Sequence, residues 1–199
     1  MRRTNFIPDI VNCELPLDNR RSPGWRRVEP FMTNNCFYFW IGQHEQGRYS
    51  KGHAHTSAAV LICVKGKGYT YTWPERLGVT PWKDGRADEV KRVDYEPVGM
   101  VSAAPGGARW YHQHFSGSKD PLRLTAWFGP HNPGRDPGVP GDKTIDYTGM
   151  DIPEGGTSIP YWMEDPYIRA EYEATLKKNE VPSRMDPGWY VPPATAATK

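Results

Sequence analysis

The stretch GRYSKGHAHTSAAVLICVKGKG, Gly47 to Gly68, sets two histidines one residue apart ahead of an apolar run and a Gly-rich turn. Alternate residues of a strand point to the same face, so His53 and His55 project together. At a rise of roughly 3.3 Å per residue their Cα atoms lie about 6.5–7 Å apart, close enough for two imidazoles to converge on one ion. A second such pair, His112 and His114, sits in WYHQHF (110–115), so four of the six histidines fall in two pairs.

Outward from this stretch, the chain reads as short strands. CFYFWIG (36–42), HAHTSAAVLICV (53–64), YTYTW (69–73), VKRVDY (90–95), GMVSAA (99–104), WYHQHF (110–115) and LRLTAWF (122–128) alternate or are rich in β-branched and aromatic residues. Clusters of Gly, Pro or Asp separate them. Seven such runs with no convincing helix between them predict an all-β sandwich or barrel over 36–130. The charged segment 74–97 reads as a solvated hairpin excursion.

Ahead of the barrel, residues 1–35 hold Pro8, Pro16, Pro23 and Pro30 among many charges, and predict an irregular arm packed on the body or on a partner chain. Behind it, residues 131–199 continue a run, GPHNPGRDPGVPGDK, too rich in proline for any ladder. One helix follows: Asp165 as N-cap, Pro166 at the first position, and Ile168, Tyr172 and Leu176 at i, i+4, i+8. Glu173 and Lys177 add an i,i+4 pair, and Val181-Pro182 ends the helix.

A chain of 199 residues is the size of one domain with appendages, and its 20 Gly and 20 Pro suit strands and turns better than a bundle. The net charge is +2, from 25 basic and 23 acidic residues that are interspersed, so no basic stripe points to nucleic acid. Cys13, Cys36 and Cys63 are odd in number and widely spaced, unlike a disulfide framework or a Cys-rich zinc site. The start, MRRTNFIPDIVNC, has no apolar h-region, and no window approaches a membrane span. The expectation is a soluble cytoplasmic protein whose partner is a small molecule.

The spacing of these residues resembles that of the cupin family. Its first motif runs Gly, five residues, His-x-His, three or four residues, Glu, six residues, Gly. Here Gly47, His53, His55, Ala59 and Gly66 occupy those positions. Its second motif runs Gly, five residues, Pro-x-Gly, two residues, His, three residues, Asn. Gly99, Pro105 and Gly107 match in register, His112 comes two positions late, and Ser116 stands where Asn is usual. The resemblance covers roughly residues 36–128 and implies a jelly-roll barrel, or double-stranded β-helix, with one divalent metal held by His53, His55 and His112. His114 is the alternative third ligand; otherwise it orients a ligand or carries protons.

Ala59 in place of Glu leaves a three-His set, which looks like that of gentisate-type and other three-His cupin dioxygenases. By this resemblance Fe(II) is favoured, with Mn, Ni or Zn as other occupants, since imidazole ligation alone does not choose. Three neutral imidazoles leave the full charge and open positions for an anionic substrate, and Ala59 opens space beside the metal. Parity places Tyr69, Tyr71 and Trp73 inward as a wall for a flat substrate, along with Ser57, Leu61 and Cys63. Arg109, Trp110 and Arg123 lie near the second motif, where an Arg could clamp a carboxylate; His44 and His131 are read as ordinary surface or core histidines. The expected function is an iron-dependent dioxygenase acting on an aromatic or diketone-like anion. The alternatives are an oxygen-independent lyase, isomerase or decarboxylase, and a non-catalytic metal- or ligand-binding barrel. A homodimer is expected, its arms exchanged between subunits.

Overall fold

The computed structural model describes residues 2–3, 6–31, 37–56, 58–105, 108–129 and 145–194. Its strands are β1 (Arg2–Arg3), β2 (Arg26–Val28), β3 (Pro30–Phe31), β4 (Phe39–His44), β5 (Gly52–His55) and β6 (Ala59–Lys65). There follow β7 (Gly68–Pro74), β8 (Lys91–Tyr95), β9 (Met100–Ala104), β10 (Trp110–Ser116), β11 (Leu122–Trp127) and β12 (Ser158–Ile159), then one helix, α1 (Pro166–Lys178). Cys36, Ser57, Gly107 and His131, and the Pro-rich run from Pro130 to Lys143, lie outside the described residues.

Two five-stranded antiparallel sheets carry the fold, in the orders β2-β4-β11-β6-β9 and β12-β5-β10-β7-β8. Strands β4 to β11 therefore run β4-β11-β6-β9 in one sheet and β5-β10-β7-β8 in the other, with sequence neighbours split between sheets except for the β7-β8 hairpin. That is the jelly-roll order of two Greek keys, so the chain is an all-β, cupin-type barrel. The run 53–64 is two strands, β5 and β6, because the chain changes sheets between them. Sheets also recruit strands from outside residues 36–130: β2 pairs with β4, and β12 pairs with β5.

Two glycines of the first motif have steric roles. Gly47 has φ +71° and a Cβ there would sit 2.2 Å from the Pro182 carbonyl; Gly66 has φ +77° and a Cβ would sit 2.3 Å from the Pro121 carbonyl. A side chain is excluded at both turns by backbone conformation and by backbone neighbours.

Two apolar clusters form the core. One fills the barrel with Trp40, Ala59, Leu61, Cys63, Tyr95, Leu122, Leu124 and Phe128. The other lies outside the second sheet, where Tyr69, Tyr71, Trp73 and Phe115 meet Ile168, Tyr172 and Leu176 of α1. The Asp165 carboxylate accepts the Tyr167 N–H as N-cap, at 3.0 Å. Burying each large apolar side chain of that helix stripe stabilises the docked helix by about 1.5–3 kcal/mol. On its exposed side an Arg169–Glu173 ion pair spans i,i+4 at 2.9 Å.

Candidate metal centre

Strand register builds the site. On β10, His112 lies opposite His53 of β5, and Trp110 opposite His55. Side chains at 110, 112, 114 and 116 share the inner face of β10. His53, His55 and His112 each offer a ligand nitrogen, and these nitrogens lie within 4.8 Å of one another. Their rings are 4.1 Å apart for His53–His112 and 4.6 Å for His55–His112. Nitrogens bound at about 2.1 Å to a single ion sit roughly 3–3.4 Å apart, so small side-chain rotations close the set.

The donor set suits a metal. His53 Nδ1 is buried without a hydrogen-bond partner. The His112 Nδ1 lies 3.3 Å from the Trp110 carbonyl, which leaves Nε2 to face the others. Burial in the barrel holds His53 and His112 well below the usual imidazole pKa, with the neighbouring cations adding to the effect. Both are therefore neutral at pH 7, the form that ligates.

His114 is buried on the same face but takes another role: its Nδ1 hydrogen bonds the Tyr95 hydroxyl at 3.0 Å, and burial depresses its pKa as well. Its ring is 5.5 Å from that of His112. The structure thus brings His112 into the triad and sets His114 beside it. Ser116, at the usual Asn position, accepts the Leu122 N–H through Oγ at 3.2 Å and steadies the turn into β11.

The cavity around these histidines has a free volume of about 20 Å³. That is little more than one water's share, so any ligand is small or enters as side chains give way. Ala59 and Leu61 line it, as does Phe128.

Tyr69, Tyr71 and Trp73 are not inward. On β7 the residues opposite His112 and His114 are Thr72 and Thr70, so the aromatics occupy the outer face. The threonines fit inside because each hydroxyl finds a carbonyl: Thr72 donates to Ala103 and Thr70 to Gln113 at 2.9 Å. Outside, the aromatics gain α1 as a cover. Arg109 is held by Glu75 at 2.7 Å and is not part of the cavity wall. Trp110 is half-buried near the rim, also outside that wall. Arg123 bonds Gln43 and the carbonyls of Ile10 and Cys13, so it ties the arm down. Cys63 is buried and its thiol is pushed up to about 11 by burial.

Other wall residues come from the N-terminal arm and β4: Arg21, Trp25, Arg27, Tyr38, Trp40 and His44. His44 is 2% exposed and continues the inward parity of Trp40 and Gly42. Extending the strand read at 36–42 by two residues would have found it. Nothing local in the sequence marked Arg21, since the arm shows no periodicity.

No family model matches the chain, and no curated protein matches it. Among solved structures it is similar to a Cupin 2 conserved barrel domain protein from Salinispora arenicola, at 18% identity over 58% of this chain and 81% of that one, TM-score 0.41. It is also similar to a cupin-2 domain from Rhodospirillum rubrum (21%, 59% and 66%, TM-score 0.40). A recombinant oxalate oxidase in complex with glycolate is a third (14%, 63% and 62%, TM-score 0.44). All three likenesses are loose, and the fold reading rests on this chain's own strand order: a cupin-type jelly roll with a three-His group that could hold a metal ion.

Proposed function

We propose that the protein is a mononuclear metal enzyme, a non-haem Fe(II) dioxygenase that acts on a small anionic organic substrate. The observation that carries this reading is the convergence of His53, His55 and His112 in a cavity whose wall, among the described residues, includes no carboxylate. An Fe(II) ion there would supply a +2 charge and open coordination positions at which substrate and dioxygen can meet. The chain's own residues do the rest. His53, His55 and His112 would hold the ion, Ala59 leaves room beside it, and the apolar wall of Leu61 and Phe128 limits water. The Tyr95 hydroxyl shares one hydrogen bond with His114 Nδ1 at 3.0 Å and orients that ring beside the site.

That pair also favours a second reading. A buried acid–base couple next to an open metal site suits a lyase, isomerase or decarboxylase that uses no oxygen. A homodimer in the cytoplasm belongs to either reading, and a monomeric mass in solution would remove the dimer.

The test is elemental analysis of protein purified without chelators, beside His53→Ala and His112→Ala, followed by oxygen-uptake assays. About one iron per chain, absent from both folded variants, with substrate-dependent oxygen uptake supports the proposal. Turnover without oxygen selects the second reading. Absence of any bound metal after Fe(II), Mn(II), Ni(II) and Zn(II) are supplied sinks both.

A further inference from the structure

We propose that Arg21, with Trp25 and His44, forms a carboxylate-binding subsite in the wall of the cavity that holds the histidine triad, built by the N-terminal arm for a short-chain carboxylate. This deepens the reading above and rests on the same cavity, but not on oxygen chemistry.

The charge pattern is the first ground. Arg27 on that wall is neutralised by an ion pair with Glu29. Arg21 is not: its guanidinium donates to the Thr148 carbonyl at 2.5 Å and to the Thr148 hydroxyl at 2.7 Å, both neutral groups. It makes no ion pair among the described residues. The acid behind it, Asp146, is occupied by Arg20 at 2.9 Å and by the Thr148 hydroxyl at 2.7 Å. A guanidinium has five N–H donors, and these two bonds leave the others for a ligand. Thr148 thus fixes the orientation of Arg21 while its charge stays unmatched in contact. Among the described residues no Asp or Glu lines the cavity.

The second ground is a concentration of unmet hydrogen-bonding capacity. Trp25 Nε1, Arg27 Nε and His44 Nδ1 are buried polar atoms without partners among the described residues, and all three belong to residues of this one cavity wall. Two of them, the indole and guanidinium N–H groups, can only donate. Buried donors left unpaired cost about 1–3 kcal/mol each, and an oxygen-rich anion would recover part of that cost. Burial also keeps His44 neutral, with a pKa lowered to about 3, so its ring can serve as acceptor or donor to a ligand without adding charge.

The third ground is construction. The Arg21 carbonyl accepts the Lys51 N–H at 2.9 Å, which ties the arm to the entry of β5 and hence to His53. Trp25 stacks on His44 with centroids 6.1 Å apart and meets Trp40 edge-on at 6.0 Å. Gly42 makes room for this: a Cβ there would lie 2.9 Å from Trp40 and 3.3 Å from Trp25. The aromatic wall beside Arg21 suits the apolar body of a short acid, whose far end would then point toward the triad.

The experiment is calorimetric titration of the full-length, as-purified protein with propanoate and with its neutral isostere propanamide, repeated on Arg21→Met, Arg21→Lys and His53→Ala. Propanoate is expected to bind and propanamide not to bind. Arg21→Met should weaken propanoate by at least about tenfold, the low end for a hydrogen bond to a charged group, with bound metal unchanged. Arg21→Lys should recover part of the loss. Equal binding of acid and amide, or no propanoate binding at tens of millimolar, overturns the proposal on the unmodified protein alone. Unchanged affinity in folded, metal-replete Arg21→Met also overturns it, and assigns the carboxylate to the metal. Propanoate binding that survives in metal-free His53→Ala shows that the subsite holds the carboxylate without the metal.

Discussion

Glu164 offers a sharp test of how the strand that carries His112 is held. Its carboxyl is 7% exposed, hydrogen bonded to the Tyr49 hydroxyl and, at 3.0 Å, to Nε2 of Gln113. Gln113 lies between His112 and His114, with its side chain on the outer face of β10 and a second bond to the Ser50 carbonyl at 2.9 Å. Burial raises the Glu164 pKa from 4.5 to about 8, so the folded chain keeps a proton that the unfolded chain releases. For a raised acid, stability is full below the unfolded value and declines as pH rises toward the folded one, at about 1.4 kcal/mol per pH unit. Between 4.5 and about 8 that amounts to about 5 kcal/mol. Below 6.5 the depressed histidines act in the opposite sense, because the unfolded chain takes up protons there. At 6.5 each unfolded histidine is still half protonated, and this effect fades only toward pH 8, but it is the same in the wild-type chain and in Glu164→Gln. Cys63, raised from 9 to about 11, enters only later. From pH 6.5 to 8 the unfolding free energy of the wild type should therefore fall by about 2 kcal/mol relative to that of Glu164→Gln. Urea unfolding of both chains across that window is the assay. The amide mimics the protonated acid, so its curve should carry only the histidine rise. A difference between the two chains that does not change with pH would refute the reasoning.

Three further outcomes follow from single contacts. Tyr95→Phe strips the partner from His114 Nδ1; it should cost about 1–3 kcal/mol in urea unfolding and lower turnover while elemental analysis finds the metal content unchanged. Gly47→Ala forces a left-handed backbone onto alanine and a Cβ against the Pro182 carbonyl; the backbone alone costs about 1–3 kcal/mol, so thermal unfolding should show a loss larger than that. Leu176→Ala, from a site 2% exposed beneath α1, should cost about 2–5 kcal/mol, while metal content stays intact because the helix packs on the outer face.

What the sequence revealed and what it hid have physical causes. The strands from 69 to 128 were legible because they are short, alternate, and are separated by turn residues, and the observed bounds differ from the reading by only a residue or so. The glycine frame around His53 and His55 was legible because each turn excludes a side chain. The facing of β7 was not. A period-2 pattern says which residues are apolar, but the second sheet is buried on both sides, inside against the histidines and outside against α1. In such a strand the apolar face need not be the inner one. The deciding clue was remote: the stripe of Ile168, Tyr172 and Leu176 needed an apolar partner, and Tyr69, Tyr71 and Trp73 were the aromatic row free to supply it. An inner face carrying the histidines takes the threonines, because hydroxyls can bond the carbonyls of neighbouring strands there.

The arm was opaque for a different reason. Residues 1–35 alternate in no period, and proline breaks every window, so only long-range pairing reveals that Arg26–Val28 joins β4 as a strand. That pairing is what carries Trp25 and Arg27 to the cavity, and the Arg21–Lys51 backbone bond brings Arg21 after them. A barrel of residues 36–130 alone would present the three histidines to a wall lacking its cations. The arm completes that wall, so the site is divided between two parts of the chain: the barrel motifs supply the imidazoles, and the arm supplies the guanidinium groups of Arg21 and Arg27.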